Sequence, residues 1–297
     1  MMNEAAAKKR KRLQFHDTLP LMIRLLIWLC LVMVVILMGL PILNVLAVSF
    51  SEKTMSEKPG LILFPSPFTP EGYDFIWNNQ NLWRPFLITI YVSVAGTLIH
   101  IFLSSVAGYV LIHKDLPLRK LLITFVVLTL TVPGELTLIS MYEIYRQFRL
   151  INTITVLVIN GAVGGLSVLL MQNFFLEVPL SLSEASRIDG ASELKIFRKV
   201  YLPLSVPGIV TIGTLQFIGR WNNITNVVAL ISDQRKYTLP VVLRMILFEQ
   251  SGISGTTYVF NNAKMAAVAL TALPMVLLYF IAQKFFKTGA FLGAVKE

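Results

Sequence analysis

Residues 25–51 read LLIWLCLVMVVILMGLPILNVLAVSFS and contain no charged side chain. Residues 85–113, PFLITIYVSVAGTLIHIFLSSVAGYVLIH, are also without Asp, Glu, Lys or Arg. A helix needs about 20 apolar residues to cross roughly 30 Å of hydrocarbon, so either stretch is long enough. In lipid the backbone must satisfy its own hydrogen bonds, as an α-helix does. The two stretches therefore predict an all-α integral membrane protein.

Further apolar stretches raise the predicted number of spans to six. They are Leu121 to Tyr142 (interrupted by Glu135), Leu150 to Leu176, Val200 to Gly219 with a continuation past Arg220, and Met265 to Gln283. Within the fourth of the six spans, Gly161 and Gly165 form a G-x-x-x-G motif, which predicts a close helix contact. Six helices joined by loops are therefore the expected architecture.

Composition supports this class and argues against a nucleic-acid partner. The 297 residues are 55% hydrophobic and 14% charged, whereas soluble domains carry about 25% charged residues. The net charge of +10 lies in short patches between apolar runs, as is typical of cytoplasmic loops. No Cys/His cluster has metal-ligand spacing, so no metal site is expected.

The distribution of Lys and Arg predicts the orientation. One side of the predicted membrane carries 16 of these residues and the other carries 8. Positive residues are retained on the cytoplasmic side, so both termini are expected there. The first apolar run is longer than the roughly 7–15 residues of a signal-peptide core, and we interpret it as an uncleaved helix. The predicted segments are a cytoplasmic N-terminus (1–24), a first span (25–50), an extracytoplasmic loop (51–84), a core of five spans (85–285) and a cytoplasmic tail (286–297).

The most informative segment is the fourth loop, defined here as Pro179–Pro207, with the sequence PLSLSEASRIDGASELKIFRKVYLPLSVP. Ser181 and Glu184 have capping-box spacing, which predicts a helix start, and Gly190 suits its C-terminus. A second short helix is expected from Ser192 to Val200. Such a pair would expose apolar side chains inside a charged rim, as docking surfaces do. The apolar set is Ile188, Leu194, Ile196 and Phe197, and the charged set is Glu184, Arg187, Asp189, Glu193 and Lys195. The alternative is an amphipathic linker on lipid headgroups.

The order of residues in this loop resembles the Glu-Ala-Ala signature of ABC importer permeases. The matching positions are Glu184-Ala185-Ser186, Asp189-Gly190-Ala191, Phe197 and Leu202-Pro203-Leu204, with Ser186 in place of the second alanine. The resemblance implies the type I importer fold, in which this loop is a coupling-helix pair seated on the ATP-binding subunit. The ATPase-docking residues it implies are Glu184, Ala185, Ser186, Arg187, Asp189, Gly190, Ala191 and Phe197, of which Phe197 packs behind the loop.

Other stretches resemble the carbohydrate branch of these permeases, which is the maltose-transporter type. They include Asp115–Lys120, Pro133–Ile139, Leu150–Thr153, Gly219–Asn222 and Gly289–Lys296. The resemblance implies import of an oligosaccharide, including uronate-containing ones such as alginate or pectin fragments, across a bacterial inner membrane. It also implies the partners: a homologous permease that forms a heterodimer, two ATP-binding subunits and an extracytoplasmic solute-binding protein.

The chain itself is not expected to be an enzyme or to bind a cofactor. It contains no Gly-Lys dipeptide and therefore no G-x-x-x-x-G-K-[ST] phosphate loop. ATP and Mg²⁺ are accordingly expected on the partner ATPase, and the role of this chain is mechanical.

Polar residues within spans are costly and mark candidate transport paths. Amides and an aromatic face suit the hydroxyls and C–H surfaces of a sugar. The substrate-path candidates are Glu135, Arg220, Trp221, Asn222, Asn223 and Asn226. The alternative for this group is hydrogen bonding between helices without a ligand. The alternative for the whole chain is a stand-alone secondary transporter of a small polar solute.

Overall fold

The computed structural model describes residues 20–79, 82–248 and 258–293, without the side chains of Asn79, of Glu135 and of residues 285–293. The described part is helical and forms no β-strand, apart from one isolated bridge between Ser51 and Phe68. The helices include α1 (Leu21–Ser49), α2 (Trp83–Ile112), α3 (Arg119–Thr131), α4 (Gly134–Gln147), α5 (Ile154–Ile159), α6 (Gly165–Leu176), α7 (Leu180–Ile188), α8 (Glu193–Ile196), α9 (Val206–Trp221), α10 (Thr225–Leu230), α11 (Leu239–Phe248) and α12 (Asn261–Gly293). Shorter helical turns lie at Lys53–Ser56, Glu71–Asp74, Phe75–Asn79, Phe197–Tyr201, Leu202–Leu204 and Gln234–Lys236. Three of the helices, α1, α2 and α12, are long and apolar enough to span a membrane. The number rises to as many as six if each of three bent pairs is one span, namely α3 with α4, α6 with α7, and Glu193–Leu204 with α9.

One compact unit comprises the chain up to Gly72 together with Phe260–Ala266. In it the loop after α1 folds against the start of α12. The side-chain amide of Asn262 donates to the carbonyl of Ser51 (3.1 Å), and a Cβ on Gly72 would lie 2.8 Å from the carbonyl oxygen of Asn262. Glycine is therefore required where these two backbones meet.

The other unit comprises Tyr73–Val259 and the chain from Ala267 onwards, and it is built around α2. Small residues let neighbouring helices approach α2 closely, as in other membrane bundles. A Cβ on Gly108 would lie 2.9 Å from the backbone nitrogen of Gln172 in α6. Ser93, Ser104 and Ser105 are also buried along α2. The apolar core of this unit therefore lies around a helix with small side chains.

The fourth span differs from the single helix that the sequence predicts over Leu150–Leu176. It consists of α5 and α6, separated by a turn in which Gly161 adopts a φ of +67°. Gly161 therefore provides a turn that L side chains disfavour. Gly165 does make a close helix contact, since a Cβ there would lie 2.8 Å from the carbonyl oxygen of Val126 in α3.

The third and fifth spans are also interrupted. α3 ends before Val132, and α4 begins after Pro133, because a residue that precedes proline disfavours the helical region. The chain from Glu193 to Leu204 bends by 77° at Ser205 before α9 begins. At the C-terminus, α12 continues to Gly293, so the predicted tail (286–297) begins inside a helix, and residues 294–297 lie outside the described part.

Candidate functional site

The fourth loop folds as two short helical segments joined at a bend. Gly190 has a φ of +75°, in agreement with its predicted role at the end of the first helix. The capping-box prediction is wrong, because α7 already begins at Leu180 and Pro179 occupies the N-cap position. The second segment is longer than predicted. It runs through α8 and a π-helical turn, Phe197–Tyr201, and ends in a short helical turn, Leu202–Leu204. Pro203 lies at the start of that last turn, where proline is tolerated because no N–H is needed there.

The four apolar side chains predicted for the loop surface divide into two pairs. Ile188 and Leu194 are 87% and 67% exposed, on either side of the Gly190 bend, whereas Ile196 and Phe197 are buried. The predicted exposure of Ile196 and Phe197 is therefore wrong, whereas the position of Phe197 behind the loop agrees with what the resemblance implies. These two side chains pack into the membrane helices instead, which leaves Ile188 and Leu194 as the apolar part of the loop surface.

The remaining signature residues lie around this bend. Glu184, Ala185, Arg187, Asp189 and Gly190 are exposed, and Ser186 and Ala191 are half-buried. The Ser186 hydroxyl donates to the carbonyl of Leu182 (2.8 Å), which turns it towards its own helix. The exposed face thus has an apolar centre with charges beside it.

An aromatic cluster seats the loop on the membrane helices. The ring of Phe197 lies 4.9 Å from that of Tyr109 in α2 and 6.1 Å from that of Phe175 in α6. Tyr201 packs 5.1 Å from Tyr109. Aromatic contacts of this kind contribute about 0.5–1.5 kcal/mol per pair beyond their buried area. The back of the loop is therefore firmly attached to α2 and α6.

A single carboxylate links the two segments of the loop to α2. Glu193 accepts a hydrogen bond from Nε of Arg187 (2.8 Å) and another from the hydroxyl of Tyr109 (2.7 Å). Nε2 of His113 lies 3.5 Å from the same carboxylate oxygen that Tyr109 contacts. The sequence predicts Glu193 as part of a charged rim and gives no sign that Tyr109 and His113 contact it. The contacts of Glu193 with Arg187, Tyr109 and His113 form a joint between the loop and α2. No local sequence spacing could have identified this joint, because Tyr109 and Glu193 are 84 positions apart.

These contacts change the titration of both loop residues. The hydrogen bonds from Arg187 and then Tyr109 lower the pKa of Glu193 from 4.5 to about 2. The hydrogen bond to Glu193 raises the pKa of Arg187. The joint is therefore ionic at neutral pH, and it consists of charge-assisted hydrogen bonds, which are stronger than neutral ones.

A second group of predicted residues lies beside the break in the fourth span. Nη1 of Arg220 donates to the carbonyls of Leu157 (3.1 Å) and Val158 (3.2 Å), and Nη2 donates to that of Gly161 (2.9 Å). The guanidinium lies directly on Gly96 of α2, where a Cβ would clash with it. A positive group at the C-terminal carbonyls of α5 also complements the helix dipole. Arg220 thus stabilises the broken span.

Arg220 also faces a small cleft, which unites some of the predicted path residues. The cleft is lined by Val92, Leu157, Asn160, Arg220, Asn223, Asn226 and Val227. Oδ1 of Asn223 accepts a hydrogen bond from the backbone N–H of Asn226 (3.0 Å), which lies in the first turn of α10. Asn160 was not predicted from the sequence; its place is set by the end of α5, which the sequence did not reveal.

The other path candidates lie elsewhere. Trp221 is fully buried against Phe86 and Phe217, so the predicted sugar-stacking face is not accessible in this conformation. The amide of Asn222 is exposed and donates to the carbonyl of Ile218 (3.1 Å), away from the cleft. The side chain of Glu135 lies outside the described residues. Of the predicted group, the cleft therefore contains Arg220, Asn223 and Asn226.

His100 is a further buried residue at the same break. Its Nδ1 lies 2.8 Å from the carbonyl oxygen of Gly161, and its Nε2 lies 2.7 Å from the hydroxyl of Ser167 in α6. A carbonyl only accepts, so Nδ1 donates and Nε2 accepts from Ser167. Gly161 is thus held by both His100 and Arg220, which fixes the turn between α5 and α6 to α2 and α9.

Comparison with known proteins agrees with this architecture. The family described as binding-protein-dependent transport system inner membrane component matches residues 100–290. The polygalacturonan/rhamnogalacturonan transport system permease protein YtcP of Bacillus subtilis is 32% identical, over 92% of this chain and 97% of its own length. The arabinooligosaccharides transport system permease protein AraQ of Halalkalibacterium halodurans is 28% identical, over 86% and 90%.

A solved structure has the same fold. A chain from the crystal structure of a bacterial ABC transporter involved in the import of the acidic polysaccharide alginate superposes with a TM-score of 0.83. The match covers 89% of this chain and 96% of that chain, at 22% identity. The all-α type I permease fold predicted from the sequence is thereby confirmed. The family match and the curated permeases show that the alternative of a stand-alone secondary transporter is wrong. With its family match, its overall similarity to curated permeases and its apolar helices, the chain belongs to the binding-protein-dependent transport system inner membrane components, the multi-pass, non-catalytic permease subunits of ABC importers.

Proposed function

We propose that this chain is one of two homologous permeases that form the pore of an oligosaccharide importer in a bacterial inner membrane. Similarity to permeases named for polygalacturonan/rhamnogalacturonan and for arabinooligosaccharides supports this substrate class. In the proposed assembly a solute-binding protein delivers the sugar from outside. Two ATPase subunits bind ATP and Mg²⁺ inside, on the side of both termini.

The observation that carries the proposal is the exposed surface of the fourth loop. Ile188 and Leu194 stand out beside the left-handed Gly190, and their charged neighbours include Asp189. In the proposal this surface enters a cleft of the ATPase, with Glu184, Ala185, Arg187 and Asp189 at its edge. Half-buried Ser186 and Ala191, and buried Phe197, shape and support the surface from behind.

Motion of the ATPase would reach the membrane through the back of the loop. Phe197 and Tyr201 pack on Tyr109, and Glu193 is bonded to the same tyrosine. The loop is therefore attached to α2 by apolar contacts and by a charge-assisted hydrogen bond. Closure of the ATPases around ATP would displace the loop and α2 with it, which is the mechanical step that alternating access requires.

An Ile188→Asp substitution tests the docking surface. Burying an isoleucine side chain contributes about 1.5–3 kcal/mol, so a charge there should reduce recovery of the ATPase with the purified permease by at least about tenfold. The matched control is Phe64→Asp, since Phe64 is 81% exposed but lies in the first loop, on the predicted outer side. If the Ile188 variant retains the ATPase and wild-type uptake, this loop is not the docking surface.

A further inference from the structure

A groove on the surface of the helix bundle lies between α2, the second segment of the fourth loop and α9. Its volume is about 360 Å³, which is within the range of roughly 300–1,000 Å³ for small-molecule sites. Seven of its nine described lining residues are apolar, and two of them on α2, Leu98 and Phe102, are exposed. The lining includes Leu98, Ile101, Phe102 and Ser105 from α2, and Phe197 and Arg198 from the loop.

The groove runs along one leaflet of the membrane. Ser105 and Leu98 lie 7 and 14 residues before Ile112, the last residue of α2, or about 10 and 20 Å along the helix axis. α2 has 30 residues and is therefore about 45 Å long, whereas the hydrocarbon is about 30 Å thick. A centred helix extends beyond the hydrocarbon at both ends, so the groove reaches from near the headgroups to near the midplane. One acyl chain occupies this range of depth.

The side chains of the two polar residues in the groove have no partner among the described residues. The exposed guanidinium of Arg198 makes neither a hydrogen bond nor an ion pair there. Glu193, the nearest carboxylate in the sequence, is already bonded to Arg187 and Tyr109. The hydroxyl of Ser105 is buried and also unpaired within the same part of the chain. A buried hydroxyl without a partner is costly, so both groups favour a ligand that supplies oxygen acceptors and a negative charge.

We propose that this groove binds one anionic phospholipid from the leaflet next to the fourth loop. The phosphate lies on Arg198, one acyl chain follows Leu98 and Phe102, and Ser105 donates to a lipid oxygen. Basic pockets between membrane helices on the cytoplasmic side are known to bind anionic headgroups. The fourth loop is on that side in the proposed orientation, and the inference rests on the proposed function only for the name of the leaflet.

A second protein is the other candidate occupant of the groove. A membrane span of a homologous permease would bring apolar side chains, but acidic residues are rare within spans. A phospholipid supplies an apolar chain and an anion in one molecule, and it therefore matches both the walls of the groove and Arg198.

A bound lipid would connect the loop to two membrane helices. Phe197 lines the groove and also packs on Tyr109 of α2, while Ile209 lines the groove from α9. The lipid therefore contacts both the loop and α2, the two elements that the joint at Glu193 connects, and it adds to the attachment between them.

The experiment uses the full importer, with its partner permease and ATPases, in nanodiscs of phosphatidylcholine. Two probes are compared, phosphatidylglycerol and phosphatidylcholine, each with the same photoactivatable group on one acyl chain. After irradiation, peptide mass spectrometry measures how strongly each probe labels residues 98–105. Arg198→Gln removes the charge from the groove. Lys199→Gln is the matched control, because the adjacent Lys199 is also exposed but points away from the face that carries Arg198.

In wild type we expect phosphatidylglycerol to label residues 98–105 about fivefold more than phosphatidylcholine, the preference that one cation near the surface provides. Arg198→Gln should bring this ratio to within about twofold of unity, and Lys199→Gln should leave it near the wild-type value. Recovery of the ATPase verifies that each variant is assembled.

Three results would overturn the proposal. Equal labelling by both probes in wild type would mean that the groove faces bulk lipid without selection. An equal fall of the ratio in both variants would indicate diffuse surface charge in place of a site at Arg198. Absence of labelling by either probe would show that another protein, such as the homologous permease, covers the groove. Each result leaves the proposed function standing, since neither sugar nor ATP enters the experiment.

Discussion

The joint at Glu193 makes the most specific prediction, because one substitution there can separate docking from transmission. In Glu193→Gln the side chain keeps its length but loses its charge, and one of the two acceptor oxygens becomes an NH₂ group. Arg187 has only donors, so the remaining oxygen should stay with Arg187. Tyr109 must then turn its hydroxyl to accept. The joint remains in place but is weaker.

The expected size of the effect of Glu193→Gln follows from the exposure of the Glu193 side chain. The Glu193 side chain is 54% exposed, so solvent screens the ion pair and the pKa shift overstates its contribution. We expect a loss of about 0.5–1 kcal/mol, the upper range for an exposed pair. That corresponds to a change of roughly two- to fivefold in how often the loop is held to α2. The exposed surface around Ile188 is untouched, so ATPase binding should be unchanged.

The amount of sugar transported per ATP hydrolysed, in the reconstituted importer, measures how well the joint transmits movement from the loop to α2. We expect the ratio to fall two- to fivefold while the ATPase co-purifies in normal amounts. Tyr109→Phe should act in the same direction, because it removes one hydrogen bond and keeps the ring. Lys195→Gln, which alters an exposed charge in the same loop, is the control. An unchanged ratio in both the Glu193 and the Tyr109 variants would refute the idea that this joint transmits movement.

Two further predictions concern the packing of Arg220 and the titration of the joint. Gly96→Ala places a methyl group in the guanidinium of Arg220, and we expect a destabilisation of about 1–3 kcal/mol, measured as a lower melting temperature of the assembled importer. Gly219→Ala, where a Cβ meets no atom within 4 Å, should leave the melting temperature unchanged or raise it, and an equal drop in both would contradict the role of Gly96. Since the folded pKa of Glu193 is depressed from 4.5 to about 2, the joint is at full strength above about pH 4.5 and is lost as the pH falls towards 2. Proteolysis of the loop should therefore increase over this window in wild type and less so in Glu193→Gln, and identical profiles would exclude this carboxylate as the cause.

Much of the fold follows from the sequence because hydrophobicity is a local property. The uncharged runs at 25–51 and 85–113 indicated α1 and α2 directly. Gly190 was also predictable, since few other residues adopt its left-handed backbone. The sequence therefore predicts roles that depend on residues close together in the chain or on the backbone conformation of a single residue.

What the sequence did not reveal depends on partners far along the chain. The break in the fourth span is stabilised by Arg220 and His100, which reach Gly161 across about 60 positions. Hydropathy cannot distinguish this broken span from a continuous helix, because the residues of the turn are themselves uncharged. Trp221 shows the same limit, since only its packing against Phe86 and Phe217 shows that the ring is inaccessible.

The fourth loop and the cleft are connected through α2. Near the C-terminal end of α2, Tyr109 contacts Glu193, Phe197 and Tyr201, and near its middle Gly96 lies against the guanidinium of Arg220. The two positions are 13 residues apart, which is about 20 Å along a helix. The hydrogen-bonded backbone between them is much stiffer than the side-chain contacts at either end. A displacement of the loop must therefore either move Gly96, against which Arg220 packs, or break the contacts of Tyr109 with Glu193, Phe197 and Tyr201. The combined strength of those contacts decides which of the two happens.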